Sequence, residues 1–230
     1  MRIAACGALL LALASLGGCT FSAKTTANFP GPVVDASLAT DRELEAAVFA
    51  GGCFWGIEAV YQHVKGVDRV VSGYSGGTAA SANYALVSSG RTHHAESVHV
   101  LYDRAQVSYG QLLKIFFAVA HDPTQLNRQG PDRGSQYRSA IFYTTKDQHR
   151  IANAYIEQLN QVHVFDDPIV TSLAPLMAFH VAEDYHQNYA SRHPDELYIL
   201  LHDAPKVAHL KKRLPGLYVE RMTRDGATPN

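Results

Sequence analysis

The chain has 230 residues, 47% hydrophobic and 18% charged, which is enough to bury one sizeable core and ordinary for one globular domain. A formal net charge of −1 gives no electrostatic pull towards nucleic acid or an anionic membrane surface, so neither is expected as a partner. Tyrosine is over-supplied, with 12 copies against 9 Phe and 1 Trp; most read as half-buried packing residues, a few as hydroxyl donors in a pocket.

Met1-Arg2 makes a short positive start, and Ile3 to Leu16 is an apolar run rich in Ala and Leu. Leu16-Gly17-Gly18-Cys19 closes it with small residues. This reads as a secretory signal too short to span a bilayer permanently. The closing tetrapeptide resembles a bacterial lipobox, which implies that residues 1–18 are removed and Cys19 is lipidated. The other reading is a plain signal cut nearby, with Cys19 unmodified or lost. The expectation is an exported bacterial protein, lipid-anchored in the envelope on the periplasmic side and touching membrane only through that anchor. Thr20 follows the cysteine, with no Asp there to suggest retention at an inner membrane. The three cysteines are Cys6, Cys19 and Cys53. With Cys6 removed and Cys19 capped, Cys53 is the sole thiol, hence either inert and buried or reactive.

Residues 19–41 are rich in Ala, Ser, Thr, Pro and Gly without periodicity and predict a flexible tether. The catalytic domain is expected over 42–220, with a polar tail at 221–230. Ala46 to Ala50 is a short apolar run ending at Gly51-Gly52, a buried strand and a tight turn. Phe54, Ile57, Val60 and Tyr61 then recur at helical spacing, which places Cys53 at a helix N-terminus. Val67 to Tyr74 and Ser97 to Asp103 alternate as strands. Ser108 to Ala120 is an amphipathic helix capped by Ser108. Ser139 to Thr145 predicts a strand, Lys146 to Gln161 a helix, and Ile169 to Leu173 a further strand. Met177 to Tyr189 reads as partly helical, followed by a polar region containing Pro205 and Pro215. The fold class is α/β (α+β), a mixed sheet packed with helices in one domain.

Gly51-Gly52-Cys53-Phe54-Trp55-Gly56 concentrates the unusual chemistry. Glycines let the backbone turn sharply and leave a thiol open to an incoming atom. A helix N-terminus favours the thiolate, the nucleophilic form. Phe54 and Trp55 offer an apolar wall. The competing reading is a structural cysteine buried among core aromatics. Glu96, just before a strand, would have a raised pKa beside an apolar pocket and suit a general acid; the plain alternative is a solvated loop glutamate. The polar stretch from His121 to Arg138 is too structured in composition for a linker, and long ordered loops are commonly functional.

The segments GGCFWG, HHAES, HDPTQLNRQG, DRGSQYRSAIFY and AEDYHQNY, in this order, resemble the signature blocks of the A-type peptide methionine sulfoxide reductases. They run from about Val48 to Tyr189, with weaker similarity to Tyr218. The resemblance implies a ferredoxin-like two-layer core, no cofactor, no metal, and reduction of the S-sulfoxide of methionine, free or in proteins. Cys53 is then the nucleophile, and Glu96, assisted by Tyr84 and Tyr137, protonates or hydrogen-bonds the sulfoxide oxygen. Phe54 and Trp55 house the S-methyl group, while Asp132 and Tyr185 shape or hydrate the site. Methionine sulfoxide in peptides and proteins is the implied substrate, and the chain is expected to act as a monomer. The product is methionine, with Cys53 left as a sulfenic acid.

Many relatives carry resolving cysteines near the C-terminus, whereas this chain has none after Cys53. The sulfenate therefore requires an external thiol: a thioredoxin-like protein, a glutaredoxin-like protein or a small thiol. Pro131 stands where relatives often have Asn, and Ser135 where they often have Thr. Three other classes compete. His93, His94 and His99, or His180, Glu183 and His186, suggest metal ligands, although no H-E-x-x-H is present. A non-catalytic peptide-binding surface lipoprotein would use the same aromatic pocket. A thiol hydrolase would need a histidine folded against Cys53.

Overall fold

The computed structural model describes residues 29–220, so the expectations for the signal, for Cys19 and for 221–230 lie outside the described residues. In chain order the elements are β1 (Leu44–Gly51), α1 (Phe54–Gln62), β2 (Val67–Ser75), α2 (Tyr84–Val87), β3 (Ala95–Asp103) and α3 (Tyr109–Ile115). A small hairpin follows, β4 (Arg128–Gln129) and β5 (Asp132–Arg133), then β6 (Ser139–Tyr143), α4 (Lys146–Gln161), β7 (Ser172–Pro175), β8 (Phe179–Val181), α5 (Tyr189–Arg192) and α6 (Ala204–Arg213).

Successive side chains of a strand point to opposite faces, and β1 uses both. Ala47 and Phe49 enter the large core beneath the helices, while Val48 and Ala50 meet Ala95, Ala140 and Phe142 on the other face. Burial on both sides makes β1 a central strand. It pairs antiparallel with β3, Leu44 opposite Asp103, and with β6, Val48 opposite Phe142. The order β6-β1-β3-β2, with α1 and α3 connecting, is two interleaved βαβ units: the expected ferredoxin-like core. β7 extends one edge in parallel with β6, and β8 extends the other antiparallel to β2. Phe49 is the pivot of the core, its ring 5.3 Å from Tyr61 of α1 and 5.1 Å from Phe116 just past α3.

Ser108 starts α3 as expected: its hydroxyl accepts from Gln111 N–H (3.1 Å), and the Gln111 side chain accepts from Ser108 N–H (2.9 Å). The helix does not stay regular to Ala120 but widens into a π turn over Phe116–Ala120. The strand expected over 169–173 begins at Ser172, and the partly helical region splits into β8, a single turn at Asp184–His186 and α5. The polar C-terminal region contains a π turn, Ile199–Asp203, running into α6 with Pro205 in its first turn.

The tether expectation for 19–41 is corrected from Phe29 onwards. Phe29 is buried against Phe165, and the Tyr155 hydroxyl donates to Pro30 O (2.5 Å). Asp35 accepts from the Ser108 hydroxyl (2.5 Å) and from Gly110 N–H (2.8 Å). A composition without periodicity hid a strap whose partners are remote in sequence. No helix among the described residues is long and apolar enough to cross a membrane.

Candidate active site

β1 delivers the chain to Gly52, whose φ of +100° is a left-handed conformation, and a methyl group there would lie 2.6 Å from Gln129 Cγ. Glycine is required on both counts. The next residue, Cys53, is the N-cap of α1. A free N–H group of the first turn is used at once: Phe54 N–H donates to Glu96 Oε2 (3.1 Å), while the Cys53 side chain accepts no capping hydrogen bond. Glu96 sits on β3 opposite Tyr74 of β2 and is 2% exposed; Cys53 is 8% exposed. Nucleophile and acid thus share one helix terminus.

Burial dominates the electrostatics. It pushes the Glu96 carboxyl up to about 8, aided by Asp132 and Asp203 and opposed by the Phe54 hydrogen bond. Glu96 is therefore mainly protonated at neutral pH, as a proton donor must be. The Cys53 thiol is also raised well above its ordinary range, first by burial, then by Glu96, Asp203 and Asp132. This runs against the expectation of a ready-made thiolate: the helix terminus favours the anion, but burial, the first cause, and the acidic groups nearby oppose it.

Tyr84 opens α2, anchored by its N–H donating to Glu183 Oε1 (2.9 Å), and Tyr137 ends the turn Ser135–Tyr137. Both phenols are raised by burial and by the nearby Glu96 and Cys53, so both remain neutral donors around the reacting atoms. Asp132 accepts from the Tyr198 hydroxyl (2.5 Å). Arg138 ties two signature blocks together by donating to His93 O (2.9 Å), His94 O (3.1 Å) and Ser135 O (2.8 Å). Pro131 occupies the tip of the β4–β5 hairpin next to Gly130 and leaves Asp132 paired with Tyr198.

Trp55 is half-buried and stacks on Tyr189 at 3.7 Å, with interplanar angle 8°, while its Nε1–H donates to His186 Nδ1 (3.2 Å). Phe54 is 1% exposed and lies between Tyr74 and His186, so it supports the pocket from behind rather than lining it. Tyr185 is exposed on the outer side of His186, at the rim. Of Tyr189, Tyr198, His186 and Asp203, only His186 was singled out from sequence, and then as a possible metal ligand. The first and third lie within the AEDYHQNY block, whereas Tyr198 and Asp203 follow it with no local signal. Tyr189→Ala is expected to raise KM for a sulfoxide peptide about tenfold, with kcat within about threefold. Steady-state kinetics check this; a fall in kcat at constant KM removes Tyr189 from the substrate wall.

The proposed metal ligands are otherwise engaged. Glu183 accepts from the Tyr74 hydroxyl (2.8 Å) and from Tyr84 N–H, His94 Nε2 meets Thr78 O (3.0 Å), and His99 packs on Phe179. Among the described residues, no group of three or more His, Cys, Asp or Glu is placed to hold a metal ion.

The family model "Peptide methionine sulfoxide reductase" matches residues 45–216. The chain is 56% identical over 186 residues to peptide methionine sulfoxide reductase MsrA 2 of Synechocystis sp., covering 80% of this chain and 87% of that one. It is 52% identical over 177 residues to the protein of the same name in Mesorhizobium japonicum, covering 77% and 91%. Among solved structures, reduced Mxr1 from Saccharomyces cerevisiae superposes with a TM-score of 0.61 at 28% identity, covering 73% of this chain and 98% of that one.

Proposed function

This chain belongs to the peptide methionine sulfoxide reductase family, A-type, and from that premise we propose how its own residues divide the work of reducing methionine S-sulfoxide. The carrying observation is that the buried Glu96 carboxyl, accepting from Phe54 N–H, and Cys53 share one helix terminus. The S-methyl group rests on Trp55 and Tyr189, and the sulfoxide oxygen faces Glu96, Tyr84 and Tyr137. Sulfoxide oxygen leaves sulfur only as it gains a proton. Glu96 supplies that proton while the Cys53 sulfur attacks the substrate sulfur, and the thiol proton passes to the vacated carboxylate. The hydroxyl then moves to the Cys53 sulfur as the S–O bond and the transient S–S bond break, and methionine leaves. The sum is thiol plus sulfoxide giving sulfenic acid plus thioether: Cys53 sulfur loses two electrons and methionine sulfur gains them.

The second half-reaction uses a thiol from outside the chain, either a thioredoxin-like or glutaredoxin-like protein or a small thiol. It attacks the sulfenate, water leaves, and a second thiol releases Cys53 from the mixed disulfide. The test is a single turnover without added thiol. One methionine per chain should be released from the S-epimer alone, with a sulfenate-specific probe captured on the Cys53 peptide. Equal consumption of both epimers, or turnover without a trapped sulfenate, refutes the scheme.

We also propose that residues 1–18 are a cleaved export signal and that Cys19 carries lipid, holding the enzyme in the cell envelope. The Leu-Gly-Gly-Cys sequence supports this reading. Labelled fatty acid should enter the full-length protein and fail to enter Cys19→Ser; equal labelling of both removes the anchor.

A further inference from the structure

One stripe of α1 carries Trp55, Glu58 and Gln62, spaced so that the three side chains leave the same face of the helix. The scheme above uses only the first. Glu58 is 1% exposed, and both its carboxyl oxygens accept from the Asn188 N–H, at 2.9 and 3.1 Å. Gln62 Nε2 donates to the Asn188 side-chain oxygen (2.9 Å). The backbone and the side chain of one residue are thus gripped from consecutive turns of α1.

Asn188 needs that grip. Its φ of +58° is left-handed, a conformation that asparagine tolerates better than most residues but that persists only where the surroundings impose it. The residue before it is tied to β2 and to the end of β8. Gln187 accepts from Ser72 N–H (3.0 Å) and donates to Ser72 O (2.9 Å) and Ala182 O (3.0 Å). The turn held by these anchors opens α5, whose first residue is Tyr189, the ring that lies 3.7 Å from Trp55. A single helical turn is too short to hold its own geometry, so the place of Tyr189 comes from outside α5. A carboxyl buried in the flank of a helix is costly unless hydrogen-bonded. What Glu58 bonds is the backbone that aims this ring.

We propose that Glu58, seconded by Gln62, is a positioning residue for substrate binding: by holding the left-handed turn at Asn188 it sets the Tyr189 ring against Trp55. The proposal rests on the reading of Trp55 and Tyr189 as the wall for the S-methyl group. Its physical sense is preorganisation. Trp55 and Glu58 lie one turn apart on the same helix, so both rings of the wall are referenced to the element that begins at Cys53.

The experiment has two readouts in the full-length chain. Trp55 is the chain's one tryptophan, so fluorescence excited beyond the tyrosine band reports its stacking without substrate. Glu58→Ala should shift that emission in the same direction as Tyr189→Ala does. It should also raise KM for a sulfoxide peptide about fivefold, with kcat within about threefold. Glu58→Gln keeps an acceptor oxygen for the Asn188 N–H and should restore both readouts. In a Tyr189→Ala background, Glu58→Ala should add less than about twofold to KM, because the ring it acts through is gone. Unshifted emission in folded Glu58→Ala, full multiplication of the two KM effects, or Glu58→Gln as damaging as Glu58→Ala overturns the proposal. If Glu58→Ala does not fold, Asn188→Val takes its place, since a branched side chain disfavours the left-handed turn. The same shifts are expected there, and unshifted emission again overturns the proposal. Should Tyr189→Ala leave KM unmoved, the wall reading falls, while the Trp55 emission of Glu58→Ala still decides the positioning role.

Discussion

Glu96→Gln is expected to lose about a thousandfold in kcat while melting higher than the parent above pH 8. The amide oxygen still accepts the Phe54 N–H bond, so the terminus of α1 keeps its partner. What disappears is the proton for the sulfoxide oxygen. The stability gain follows from the same burial. The Glu96 carboxyl is raised from about 4.5 to about 8, so the folded protein prefers the protonated form. Its favourable contribution is complete below the unfolded pKa and is lost as pH rises through the folded one. Glutamine never ionises, so the variant should match the parent near pH 5. Near pH 9 it should exceed the parent by roughly 3 kcal/mol, or a Tm gain on the order of 5 °C or more. Melting curves at the two pH values, with kcat at pH 7, test this. Undiminished kcat, or equal Tm gains at both pH values, would show that Glu96 is not the buried acid.

Cys53→Ser should abolish turnover, to less than about one part in ten thousand, while leaving peptide binding within about threefold. The reason is the product. Oxygen transferred to sulfur makes a sulfenic acid, whereas oxygen transferred to serine makes a hydroperoxide with a weak O–O bond. Serine has no low-energy route, whatever its geometry. Trp55, Tyr189 and His186 do not depend on the sulfur for their contacts, so the substrate wall persists. Fluorescence of Trp55, the chain's one tryptophan, reports binding in the variant. Sulfoxide reduction above background would exclude Cys53 as nucleophile.

The features legible from sequence were those carried by local pattern. The apolar run into Gly51-Gly52 placed β1 and the N-terminus of α1, and Ser108 with Gln111 marked the start of α3. The alternation in Ser97 to Asp103 gave β3, which begins two residues earlier at Ala95, so Glu96 lies within the strand rather than just before it. The misses share a cause as well. In α6, Leu210 is the buried residue on a helix otherwise rich in lysine, so its periodicity is faint beside Pro205. β8 is three residues long and takes its strand form from pairing with β2. Tyr198 and Asp203 act through contacts with residues 66 and 147 or more positions earlier, which no local window reveals. The raised Cys53 thiol has the same origin: the helix terminus is local, whereas the burial and the acidic groups that oppose it come from distant segments.

The strap that begins at Phe29 also sets a leash. Were Cys19 to carry lipid as proposed, at most residues 20–28 would separate the anchor from Phe29, which is packed on the domain. Fully extended, that stretch reaches about 30 Å, comparable to the width of a domain whose radius of gyration is about 16 Å. The enzyme would then patrol a shell one molecule deep over the bilayer. Under the proposed anchoring, oxidised methionines on neighbouring envelope proteins would fall within that reach, and those deeper in the surrounding space would have to diffuse to it.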